Sequence, residues 1–149
     1  MVDANLFNKA WTTLYAVISG DVPDPINRGN KWIFAANPLI DSGTTPGLKY
    51  PIIVIEPFRI DSQEPISFGT NIMETNISTN IEVHDNVGGS RFDAICSNVQ
   101  SAIWNNADEF MKSGLSQLSI DGGIYDSIYF SRNNRLHIRS FGLNLTSSE

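Results

Sequence analysis

Residues 71–85 read NIMETNISTNIEVHD, and the class of the fold turns on them. Met73, Thr75, Ile77, Thr79, Ile81 and Val83 alternate with Glu74, Asn76, Ser78, Asn80, Glu82 and His84. Successive side chains of a strand point to opposite faces. Period two over twelve residues therefore predicts a strand with one packed face and one face toward water or a neighbouring subunit. At roughly 3.3 Å per residue the run spans about 40 Å, longer than a usual strand. It is expected to project from a small domain as half of a hairpin, with an open edge that needs a partner.

Downstream, DNVGG at 85–89 is a turn. Ser90 is expected to cap a helix whose first turn Asp93 supports against the helix dipole. Phe92, Ile95, Cys96, Val99, Ala102, Ile103 and Phe110 mark one apolar stripe, which predicts a single helix to Lys112 with a stop at Gly114. A short strand at 115–120, a Gly122-Gly123 turn and strands at 124–131 and 135–145 joined by Asn133-Asn134 follow. Leu136 and Ile138 fall in one phase and Phe141, Leu143 and Leu145 in the other, so a bulge is expected at 140–142. Residues 146–149 read as a frayed tail.

Upstream, YPIIVIE at 50–56 is a nearly continuous apolar run, expected to be a central strand covered on both faces. Residues 58–68 read as a polar connection. Residues 20–49, with Pro23, Pro25, Pro38 and Pro46, are loop-rich around a short strand or packed turn at Trp32-Ile33-Phe34. The run 41–48 has the composition of an exposed, mobile loop, expected to be functional or an assembly arm. Residues 4–19 predict an amphipathic helix with Leu6, Phe7, Ala10, Trp11, Leu14, Val17 and Ile18 on one stripe, Asp3 as cap and Gly20 as stop. The sum is one α+β domain over 1–149: a mixed, mainly antiparallel sheet, two helices on one face, and a long projecting hairpin.

The 149 residues carry ten Lys or Arg against sixteen Asp or Glu, a net charge of -6. Such a chain has no general counterion-release drive toward nucleic acid. One cysteine, Cys96, excludes a disulfide framework within the chain. The first residues show no leader and no run suits a membrane span, so a product made and kept in the cytoplasm, with no membrane partner, is the expectation. Chemistry finds little material. His84, Asp85, Cys96 and His137 lack a second ligand pair at metal-binding spacing. No G-x-S-x-G or C-x-x-C occurs. Residues 86–90 precede a helix but have no lysine partner for phosphate. No catalysis, cofactor or metal is expected. Arg132 and Arg135 flank the last turn, with Arg139, Tyr125, Tyr129 and Phe130 nearby; they read as a solvated tip or a contact to an acidic partner.

The order of elements resembles the tail-terminator, or tail-completion, proteins of tailed viruses, which group with other small neck proteins. The resemblance is carried by the first helix, the Trp32 loop, the strand at 50–56, and the long strand ending Val83-His84-Asp85. The helix RFDAICSNVQSAIWN and the segment RLHIRSFGLNL complete it. Residues 77–85 resemble that family's T-x-x-I-x-V-x-D type stretch, with Ser78 where the pattern has Thr. The resemblance implies a virion protein of the tail or neck, a ring usually of six subunits. The ring caps the tail tube and joins it to a neck connector protein while DNA passes without specific binding. A neck adaptor, a stopper and a tube subunit are the alternatives within that class; a ligand- or peptide-binding module using the sheet near Trp32, Tyr125 and Tyr129 is the alternative outside it. Expected subunit contacts are Thr44 and Thr45 in the arm, Arg59 and Glu64 in the 57–69 loop, and Glu74, Asn76, Asn80 and Glu82 on the polar strand face. Arg132 and Arg135 at the hairpin tip complete the set.

Overall fold

A computed structural model describes residues 5–28, 31–35, 49–66, 72–131 and 134–148. Helix α1 spans Leu6–Asp21 and buries Leu6, Ala10, Leu14, Val17 and Ile18 of the predicted stripe; Trp11 is half-buried, and Phe7, at the stripe's margin, is exposed. Gly20 lies inside its last turn instead of ending it, and Val22 leaves in extended conformation. The expected cap, Asp3, lies outside the described residues; Asn5 precedes the helix without a side-chain cap.

Seven strands follow among the described residues: β1 Ile33–Phe34, β2 Ile52–Ile55, β3 Arg59–Pro65, β4 Met73–Asp85, β5 Leu115–Ile120, β6 Ile124–Ser131 and β7 Asn134–Ser148. They form one sheet in the order β1-β2-β4-β7-β5, with β3 also on β4 and β6 also on β7. Only β1 with β2 is parallel. The α+β class, the mixed sheet and its mainly antiparallel pairing are as the sequence predicts.

The long alternating strand is not an open ribbon. β4 pairs with β2 and β3 along one edge and with β7 along the other, so both edges are satisfied within one chain. Its partner β3 is the stretch expected as a polar connection. The parity was legible in the sequence; the pairing, which is non-local, was not. Two further expectations fail on the same ground. β4 and β7 run in unbroken register from Glu74↔Ser148 to Asp85↔His137, so there is no bulge at 140–142. Irregularities lie instead in β3, β5 and β6. Thr146 and Ser147 are paired and buried, not frayed. Glu149 lies outside the described residues.

Odd-numbered positions of β4 and β7 face the helices. Ile77 opposes Leu145, Thr79 opposes Leu143, and Ile81 opposes Phe141. With Ile53 and Ile55 of β2 they meet Leu14, Ile18, Phe92, Val99 and Ile103 in one core. Helix α2, Ser90–Asn105, supplies the last three. Gly89 precedes it at φ 76°, a left-handed conformation that glycine adopts without strain, and Ser90 is its first residue and not its cap. The single expected helix breaks at Asn106, whose side-chain amide donates to the Ala102 carbonyl at 2.7 Å. An asparagine that bonds its own helix in this way competes with the ladder. Helix α3, Ala107–Lys112, then restarts and turns Phe110 fully into the core.

Candidate assembly surface

Even-numbered positions of β4 and β7 face away from the helices, and their polar groups are mostly satisfied inside the chain. Asn76 donates to Ser62 Oγ at 2.7 Å and accepts from Thr146 Oγ1 at 2.7 Å. Asn80 donates to a Glu56 carboxylate oxygen at 3.1 Å. His84 was expected to face solvent; it is 1% exposed. Its Nε2 lies 2.8 Å from Glu82 Oε1, and because an ionised carboxylate only accepts, Nε2 carries the proton. Nδ1 of His84 and Oγ of Ser78 have no hydrogen-bond partner among the described residues.

The hydrogen bond from His84 holds the Glu82 carboxyl below its ordinary value, against the opposing effect of burial. A carboxyl with a depressed folded value contributes stability that is present above its unfolded value and lost as pH falls through the folded one. Melting temperature should therefore fall below about pH 4.5, and Glu82→Gln should flatten that part of the profile. A Glu82→Gln curve parallel to the parent from about pH 6 to pH 3 would exclude the linkage.

The corner between β4 and α2 is fixed by charge. Asp85 is fully buried; it accepts from Val87 N at 3.1 Å and takes Arg91 through two bonds, Arg91 Nε at 2.9 Å and Arg91 Nη2. The carboxylate raises the Arg91 pKa. Cys96 is packed as expected, and burial pushes its thiol up to about 11, far from a reactive thiolate. No group of three or more His, Cys, Asp or Glu side chains among the described residues is arranged to hold a metal ion. No helix among them is long and apolar enough to cross a membrane.

The two sides of the sheet end differently. β3 carries Arg59, Asp61, Glu64 and Pro65, side chains that blunt an edge against casual pairing. Among the described residues β6 pairs only with β7, and nothing among them pairs along its outer edge. It carries Ile124 and Ile128 on one face and Tyr125 and Tyr129 on the other, all exposed, with Ile124 at 75% and Tyr129 at 68%. The chain reaches β6 through Gly123 at φ 86°, where a Cβ would sit 2.8 Å from Phe141 Cε1 and from Arg139 Cγ. Asp85 opposes His137, so residues 134–136 of β7 pair with β6 alone. The β6–β7 hairpin thus runs past the end of β4, and β4 is, as expected, half of a hairpin of its own, with β3.

The expected contact residues divide accordingly. Thr44, Thr45 and Arg132 lie outside the described residues. Arg59 pairs with Asp61 of its own strand at 3.4 Å. Asn76, Asn80 and Glu82 are engaged on the outer face as above. Glu64 stands directly opposite Glu74 in the β3–β4 register. Arg135 is exposed on β7, lies over the Tyr129 ring at 5.5 Å and donates to Ser127 Oγ at 2.9 Å. Sequence reasoning missed Ile124 and Ile128. Their signal is IYDSIYF, a strand apolar in both phases with too few core positions to use it. Against models of known protein families the chain has no match, and against curated proteins it has none.

Proposed function

We propose that this chain is a structural protein that assembles with copies of itself into a ring, in the manner of a tail terminator: it caps a tail tube and joins it to the neck, without catalysis. The observation that supports this most directly is the β6 strand, open along its outer edge and apolar on both faces. An exposed edge of that kind is an aggregation hazard unless a partner uses it. Each face leaves two large side chains in water, Ile124 and Ile128 on one and Tyr125 and Tyr129 on the other. The acidic balance, -6 over the chain, suits a collar that DNA passes without adhering.

Light scattering and negative-stain microscopy test the reading. Purified protein should give a mass several times 16.5 kDa and rings with a central hole. Ile124→Lys with Ile128→Lys should return it to monomers with an unchanged circular dichroism spectrum, because both side chains already lie in water. A strictly monomeric parent at high concentration, with and without tail tube protein, would sink the proposal.

A further inference from the structure

Among the described residues, twelve large hydrophobic side chains are exposed, and seven of them sit on two hairpins. Four belong to β6, as above. The other three, Ile60, Ile66 and Ile72, lie on and just beyond β3 and β4 at the opposite side of the sheet. The amide of Ile66 donates to the Ile72 carbonyl at 3.0 Å, which closes the β3–β4 hairpin. Each hairpin also carries charge without an ionic partner among the described residues. On β3–β4 it is Glu64 and Glu74, directly opposed in register, and like charges so placed destabilise a strand pair. On β6–β7 it is Arg135, which stacks on Tyr129 and meets only a serine hydroxyl.

We infer that the β6–β7 hairpin of one copy docks on the β3–β4 hairpin of the next copy, Tyr129 against Ile66 and Ile72, with Arg135, on the same face as Tyr129, between Glu64 and Glu74. The inference rests on the reading that copies assemble, and it supplies the mode. The occupant is a second copy because the two surfaces complement each other: an apolar centre on both, a cation on one rim and two anions on the other. Self-pairing of the β3–β4 hairpins would bring four carboxylates together, and that repulsion selects the unlike partner. Two different surfaces in contact make the interface head-to-tail, and a head-to-tail interface closes into a ring when its rotation permits.

A charge exchange tests this. Glu64→Lys with Glu74→Lys should raise the concentration needed for assembly by about tenfold, and Arg135→Glu should do the same. An equimolar mixture of the two variants should assemble like the parent, because each supplies the surface complementary to the other. Three outcomes overturn the inference. If the Glu64 and Glu74 variant assembles normally while Arg135→Glu does not, the β6–β7 hairpins pair with each other, and the ring-forming reading stands. If both variants are impaired and the mixture is not rescued, the two surfaces do not meet. If the parent is monomeric throughout, the underlying reading falls as well.

Discussion

Arg91→Met should lower the stability of the folded chain by about 2–4 kcal/mol: removing one partner of a fully buried ion pair costs about 3–5 kcal/mol, and Arg91 is 30% exposed although Asp85 is buried, so solvent screens part of the loss. The carboxylate of Asp85 is fully buried on β4 and loses both bonds from the guanidinium, keeping only the Val87 amide. Methionine fills much of the arginine stem but offers the carboxylate nothing. For a domain of this size the melting temperature should drop on the order of 10 °C. Adding Asp85→Leu to Arg91→Met should recover a large part of the loss, since a pair replaced by apolar side chains is often neutral. A loss below about 1 kcal/mol for Arg91→Met alone would mean that solvent reaches Asp85 and screens it.

Phe141→Ala should cost about 3–5 kcal/mol, enough to consume much of a typical domain's margin of 5–15 kcal/mol, roughly. Phe141 is 1% exposed on β7, opposite Ile81 of β4, and belongs to the core formed with both long helices. Its ring edge also occupies the space beside Gly123, 2.8 Å from where a Cβ would stand. Truncation therefore opens a cavity under the bend that leads into β6. Chemical denaturation should show the loss in the midpoint. Phe141→Leu should cost markedly less because it keeps most of the volume. If assembly uses β6, Phe141→Leu should also leave the oligomer intact, since the edge itself is untouched.

The core face of β4 was legible because parity is local. Ile77, Ile81 and Val83 point where the alternation says, and so do the stripe of α2 and, apart from Phe7, that of α1. His84 was not legible. Its phase places it on the polar face, and only the fold shows that face to be crowded enough at this end to bury an imidazole against Glu82. The break at Asn106 was hidden for a related reason. Phe110 continues the apolar stripe by count, while the asparagine amide that ends the ladder is decided by its bond to Ala102.

The candidate surface was read in part. Glu64, Glu74 and Arg135 were expected at contacts from their places in the 57–69 loop, on the polar strand face and at the hairpin tip, and the fold sets the two glutamates and the arginine on opposite hairpins with no ionic partner among the described residues. Ile124 and Ile128 went unnoticed because an apolar residue in a strand is ordinarily core, and nothing local tells an inner strand from an outer one.

The amino-acid sequence by itself determined most of the helices and strands, β3 and the end of β7 excepted, the inward phase of the strongly periodic ones, and that the chain is α+β with an acidic balance. Those properties follow from the periods of 3.6 and 2 that the backbone imposes on neighbouring residues. Only the tertiary structure decided that β4 is enclosed and β6 is bare. Which strand ends at an edge depends on pairings between residues far apart in the chain, fixed when the whole core is buried at once.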